Sequence, residues 1–235
     1  MNKLLNSLII CTIYLGISQP ARAISIFYGE DLGAGGSFVS NGSAVQAKNG
    51  FLSQLSGTSI EDFENSTEKD TSPLDLSFTG SAGTIEGTLT STGSGTVANS
   101  SFDGVFPTSG NQFWAANSQF SIDFDVPVVA FGFFLSNIKT NPLTLRLALV
   151  GGGTRDLSIA TTVPAPDGAL AYFGLIHMDN PFNSATFIGA TSIDGYSFDD
   201  LTIGVKQAET VPEPSTILGI GMALGLAALF KDKRA

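Results

Sequence analysis

The sequence predicts a mostly β protein: an antiparallel β-sandwich of jelly-roll type, with one short N-terminal helix and a C-terminal single transmembrane helix. Three observations predict it. Apolar residues recur at every second position over short runs, Gly, Pro, Asn and Asp separate those runs, and helical spacing is nearly absent. Many short strands punctuated in this way pack as two antiparallel layers, because parallel strands would need long, usually helical, crossovers.

The elements follow in order. Ser43 to Leu55 reads as the short helix: Val45, Lys48, Leu52 and Leu55 fall near one face, Ser43 can cap its start and Gly57 can stop it. Gly50 weakens that helix. Leu74, Leu76 and Phe78 form one strand and Thr84 to Thr90 the next. Phe120, Ile122, Phe124 and Val126 face one way, Ser121, Asp123 and Asp125 the other. Val128 to Leu135 is a continuous apolar run, which suits a strand buried on both faces. Leu143 to Val150 and Leu157 to Ala160 flank Gly151-Gly152-Gly153 as a hairpin. Further strands lie around Tyr172 to Ile176, Ala185 to Ile188 and Tyr196 to Gly204. The predicted order is helix, first strand pair, then a long run of strands. Asn65 to Pro73 and Gly93 to Gly110 read as loops, and Phe102, Val105 and Phe106 in the second can tuck under the sandwich as a cover.

Both ends read as processing segments. Lys3 is a positive n-region, Leu4 to Ile17 an apolar h-region, and Ala21-Arg22-Ala23 an A-x-A cleavage site, so residues 1–23 form a signal peptide. Cys11 leaves with it, and the mature chain has no cysteine, no disulfide and no thiol chemistry. At the other end, Pro212 and Pro214 bar a helix from running upstream. Fifteen residues from Thr216 to Phe230 then span about 22 Å as a helix, short of a bilayer core of about 30 Å. Lys231, Lys233 and Arg234 follow as a stop-transfer cluster that places the C-terminus in the cytoplasm. The folded domain is therefore residues 24–210 and the tail residues 211–235.

Val211-Pro212-Glu213-Pro214, the short hydrophobic segment and the basic end together resemble the PEP-CTERM sorting tag of Gram-negative bacteria. The resemblance implies that Val211, Pro212, Glu213 and Pro214 are the sorting and cleavage element for a membrane protease of the exosortase type. It further implies an exported precursor anchored in the inner membrane, then delivered to the cell surface or extracellular matrix. The middle of the chain also resembles the secreted β-sandwich domains fused to such tags and, more distantly, lectin-like jelly rolls. Ile60-Glu61-Asp62-Phe63-Glu64, Phe120 to Phe134, Tyr172-Phe173-Gly174 and Ile193 to Leu201 carry that likeness.

Charge and chemistry narrow the function. Residues 24–210 hold six Lys+Arg against nineteen Asp+Glu, a net charge of −13. Such a surface repels nucleic acid and anionic lipid and offers oxygen ligands to hard cations. In the resembling folds a Phe-Glu near the first strand and an Asp pair on the last meet around a structural cation, which implies Glu61, Glu64, Asp199 and Asp200 as a Ca²⁺ set, Asp200 with Glu64 foremost. Neighbouring strand positions point to opposite faces, so both Asp side chains share a site only through a bulge or a strand end. The alternative is solvated strand ends. Asp123 and Asp125 share one face and suit a wetted outer surface; a glycosidase would need an acid and a base roughly 5 to 9 Å apart across a cleft. His177 is the only histidine and reads as polar surface, Gly151-Gly152-Gly153 precedes no helix, and neither supports a nucleophile, transition-metal or phosphate site. Trp114, with Phe113, Tyr172 and Tyr196, is a candidate platform for stacking sugars. The expectation is a non-enzymatic envelope or matrix protein that binds glycan. The alternatives are a secreted polysaccharide hydrolase using a carboxylate pair and a purely structural surface protein.

Overall fold

The computed structural model describes residues 24–138, 143–189 and 195–206. The signal peptide with Ala21 and Ala23, and the tail with Val211, Pro212, Glu213, Pro214, segment 216–230 and Lys231, Lys233 and Arg234, lie outside the described residues. No helix among the described residues is long and apolar enough to cross a membrane.

The elements are β1 (Ser25–Asp31), α1 (Ser43–Leu52), β2 (Leu55–Glu61), β3 (Leu74–Gly80), β4 (Ile85–Ser91), β5 (Gly95–Ala98) and β6 (Phe113–Ala116). They continue as β7 (Phe120–Val128), β8 (Ala130–Ser136), β9 (Leu143–Leu149), β10 (Thr154–Ile159), β11 (Leu170–Ile176), β12 (Phe182–Ile188) and β13 (Tyr196–Lys206). All pairings are antiparallel, and the order across the sheet is β1-β11-β8-β13-β2-β3-β4-β7-β12-β9-β10, with β6 beside β13 and β5 beside β6. The sheet curls at β2–β3, where only Ser59↔Gly80 and Ile60↔Thr79 are in register. One leaf therefore ends at β2 and the other begins at β3.

The leaves close on aromatic rings, as the alternating pattern predicts. Phe120, Ile122 and Phe124 of β7 are buried while Asp123 and Asp125 are exposed; Val126, expected with the first three, is exposed as well. Across the gap, Phe120 meets Phe198 at 4.8 Å between ring centroids, Phe133 meets Phe187 at 5.1 Å and Phe124 meets Phe131 at 5.7 Å. Every residue of β8 and of β11 is buried. Their inner faces join this core, and their outer faces, with Phe134 and Tyr172, join a second core under α1. The continuous apolar run of β8 reflects these two covers.

Helix α1 lies on β1 and β11 with Phe51 fully buried against Phe27 and Tyr172. A Cβ at Gly29 would collide with the Ser43 carbonyl, so glycine permits this approach. The predicted cap is corrected. Gly42, not Ser43, occupies the N-cap without a side-chain bond. The Asp31 carboxylate instead accepts from the Ser43 and Ala44 N–H groups at 2.7 and 3.1 Å. A carboxylate there satisfies orphan donors at the positive end of the helix. The helix stops at Leu52, because Leu55 already belongs to β2. Further corrections concern strands: β1 precedes the helix, β2 follows it directly, β5 lies within the stretch read as a loop from Gly93 to Gly110, and β6 follows that stretch.

Candidate functional site

The last strand organises the site. On one flank β13 pairs with β6 through Tyr196, Ser197 and Phe198, then with β2 from Leu201 onward. On the other flank it pairs with β8, where the register slips between Asp199 and Thr202. Asp199 faces Phe134 and Thr202 faces Gly132, so the slip is one extra residue, and Asp200 adopts a left-handed φ of 50°. This β-bulge satisfies the condition under which two adjacent acids share one side. Phe198 and Leu201 both enter the main core, while Asp199 and Asp200 both reach the segment that crosses outside it.

That segment, residues 99–112 between β5 and β6, is strapped to the outer face by oxygen acceptors. Asp199 Oδ2 accepts from the Thr108 and Ser109 N–H groups at 2.7 and 3.0 Å and from the Thr108 hydroxyl at 3.1 Å. Asp199 Oδ1 accepts from the Asp200 N–H at 2.7 Å. Asp200 accepts from the Ser109 hydroxyl and from Lys48 Nζ of α1, both at 2.8 Å. The Phe106 N–H donates to Ser136 Oγ, and the Ser197 hydroxyl donates to the Phe106 carbonyl. Glu64 Oε1 accepts from the Asn111 N–H at 2.6 Å and from that of Gln112. Glu61 accepts from the Phe63 and Ser77 N–H groups, both at 2.8 Å. Burial and the neighbouring Asp200 charge push the Asp199 carboxyl up to about 7, against the pull of its N–H donors.

The four acids of the expected Ca²⁺ set thus serve one region but form no common cage. Their oxygens hold backbone N–H groups, hydroxyls and one ammonium, which supply the positive partners that clustered carboxylates need. Among the described residues no group of three or more His, Cys, Asp or Glu is arranged to hold a metal ion. His177, read as polar surface, is nearly buried; its Nδ1 lies 2.9 Å from the Asn180 carbonyl oxygen. The Gly151-Gly152-Gly153 hairpin forms, with the Leu149 N–H donating to the Gly153 carbonyl at 3.1 Å.

The sugar platform at Trp114 is corrected. Trp114, Phe113, Tyr172 and Tyr196 are all buried: Trp114 and Tyr196 lie in the core between the leaves, where β6 packs against β13, and Tyr172 lies under α1. Trp114 lies against Phe120, and a Cβ on Gly95 would strike its ring. Its indole N–H finds no hydrogen-bond partner.

An open cavity of about 430 Å³ lies between the β5–β6 pair, the turn after β4 and the start of β13. That volume falls within the range of small-ligand sites. Hydroxyls of Ser91 and Ser94, the Asn117 amide, Tyr196, Phe102 and Asp103 line it. Phe102 is 46% exposed and leans on Phe113 at 6.4 Å. Asp103 and Gly104 form the centre of a tight turn: the Phe102 and Val105 N–H groups exchange bonds with each other's carbonyls at 3.1 and 2.8 Å. Their φ angles of 47° and 81° make it a type I′ turn, which Asp-Gly favours. Val105 and Phe106 tuck under the fold as predicted, but Phe102 does not. Sequence reasoning missed Phe102 and Asp103 as site residues, although an aromatic next to Asp-Gly inside a Ser/Gly-rich stretch was a readable signal.

No protein-family model matches the chain, and no curated protein sequence does. Solved structures that resemble it are family 29 carbohydrate-binding modules. One is a variant of CBM29-2 studied for ligand recognition, at 13% identity, covering 67% of this chain and 98% of that one with a TM-score of 0.33. Another is a carbohydrate-binding module of family 29, also at 13% identity, covering 69% and 98% with a TM-score of 0.34. Overlap at this level fixes neither a ligand nor any residue's role.

Proposed function

We propose that this is an exported envelope protein whose β domain binds glycan in the cavity beside β5–β6, and whose tail is a sorting tag cut by an exosortase-type membrane protease near Pro212-Glu213-Pro214. The observation that carries the binding reading is the cavity itself. An exposed phenyl ring at Phe102 suits the CH-rich face of a sugar, and hydroxyl, amide and carboxylate groups around it suit sugar hydroxyls. The strap supports it further, because Phe102 and Asp103 sit on a turn whose following residues are pinned to β13, so little ordering entropy is lost on binding. The strand order supports the jelly-roll reading. β2-β13-β8-β11 on one leaf and β7-β12-β9-β10 on the other is the order that two interleaved Greek keys give.

Asp103 is the one carboxylate lining the cavity among the described residues, so binding uses it without a second acid across a cleft. Binding of the full chain to a panel of bacterial and plant polysaccharides, with Phe102→Ala as control, tests the domain's role. Retention of at least one polysaccharide, weakened at least tenfold by the substitution, is expected. Absence of any binding leaves the structural surface protein as the reading. Mass spectrometry of the mature C-terminus tests the tag, since recovery of Arg234 and Ala235 on the surface form excludes cleavage.

A further inference from the structure

The cavity carries an uneven charge. Asp103 is exposed on its rim, no hydrogen bond or ion pair engages its carboxylate, and no Lys or Arg lines the space among the described residues. The domain around it is strongly acidic, at −13 over residues 24–210. A uronic acid entering here meets repulsion from Asp103 and from the field of the whole domain. A neutral sugar gains only the stacking surface of Phe102 and the bonds of hydroxyl and amide groups. A sugar carrying a protonated amine gains in addition a charge-assisted hydrogen bond to the Asp103 carboxylate. The turn fixes the backbone that carries this side chain, because Gly104 has a left-handed φ and a Cβ there would strike the Gly168 backbone.

We propose that Asp103 makes this cavity selective for glycans with free amino groups, hexosamine units lacking their N-acetyl groups, over neutral and uronic-acid polymers. The inference rests on the glycan-binding reading above and adds the chemical class that the site prefers. Asp103→Asn is the suitable probe, since Asn also accepts the left-handed conformation of a type I′ turn, keeps the side chain's shape and removes its charge.

The test is calorimetric titration of the full chain in mild detergent with four oligosaccharides of equal length: glucosamine, N-acetylglucosamine, glucose and uronic acid. The glucosamine oligomer should bind about fivefold tighter than its acetylated counterpart at low salt, the size of an exposed ion pair. That preference should disappear in Asp103→Asn and shrink at about 1 M salt. Equal binding of the amino and acetylated oligomers, with Asp103→Asn silent, overturns the amine selectivity and leaves the glycan reading standing. An amine preference that survives Asp103→Asn belongs to the acidic surface at large and overturns the assignment to this site. Tightest binding of the uronic-acid oligomer overturns the selectivity. Binding of no oligomer by either protein removes the glycan reading and this inference with it.

Discussion

Two sets of four acids in the same molecule behave as different materials. Glu61, Glu64, Asp199 and Asp200 lie around the bulge in β13 and hold segments together. Asp75, Glu86, Asp123 and Asp125 line a shallow groove on the outer face of β3, β4 and β7, and all four are exposed. In the first set each acid has at least one oxygen that meets a donor from a distant segment, with Asp199 reaching 91 residues back to Thr108. In the second set the contacts are between strand neighbours, such as the Ser77 hydroxyl on Glu86 at 3.1 Å. The difference teaches that an acid's role here depends on which orphan N–H groups a broken strand leaves nearby. Where β13 changes partner from β6 to β2, ladder bonds are missing, and carboxylates supply acceptors to the segments that cross the gap.

The largest expected effect is at Asp199. Asp199→Ala leaves the Thr108, Ser109 and Asp200 N–H groups without an acceptor in a buried place, and should destabilise the fold by about 3–5 kcal/mol in urea unfolding. A loss under about 1 kcal/mol would erase the distinction between the two sets. The pH dependence sharpens it. Because the Asp199 carboxyl titrates at about 7 in the folded chain and near 3.8 when free, folding favours its protonation. Stability from this group therefore falls as pH rises from about 4 toward 7, and levels off above. The thermal midpoint should be higher at pH 5 than at pH 8, reflecting a stability difference on the order of a few kcal/mol, and Asp199→Asn should flatten that slope. The Thr108 hydroxyl, which donates to Oδ2, can reverse and accept the added proton. A midpoint that rises with pH across this window would show the carboxylate to be held below its ordinary range.

How much of this was legible beforehand depends on range. Period-two alternation placed β7 and its wet face, the apolar run placed β8, and the glycine triplet placed the β9–β10 hairpin, since each signal lies within a few neighbours. The edge strand β1 was missed: Ser-Ile-Phe-Tyr-Gly-Glu-Asp alternates poorly because its pairing to β11 and its contact with α1 set its faces. The helix cap was misassigned for a similar reason, the acceptor being Asp31, twelve residues before Ser43. At the site, the last strand lies beside β2, with Leu201 opposite Glu61, while the first strand, β1, pairs with β11 instead. Many of the donors that engage Glu64, Asp199 and Asp200 come from residues 108–112, and nothing local in those residues announces a strap. Trp114 was expected outside because its partner strand was unknown; pairing with β13 turns it inward.

Glu61 offers an intermediate test. Its carboxylate is buried, which pushes its pKa up against the pull of the Ser77 and Phe63 N–H groups, and it anchors the end of β2 to β3. Glu61→Ala should cost about 2 kcal/mol, less than Asp199→Ala because fewer donors are stranded. Equal losses at the two positions would show that the cost does not follow the number of donors stranded.

The smallest effect belongs to the outer groove and has the opposite sign. Asp123 stands across from Thr88, with Asp75 one strand further on and Asp125 two residues along the same face. Like charges at that spacing repel through water, so Asp123→Asn should stabilise the fold by a few tenths of a kcal/mol at low ionic strength. The gain should vanish at about 1 M salt, where the screening length falls to about 3 Å. No backbone N–H depends on the Asp123 side chain in the hydrogen bonds of this face, so nothing is left unsatisfied by the change. A loss of about 1 kcal/mol or more at this position would require a buried donor on the open face, and the contrast between a carboxylate that holds the chain and one that merely wets it would fail there.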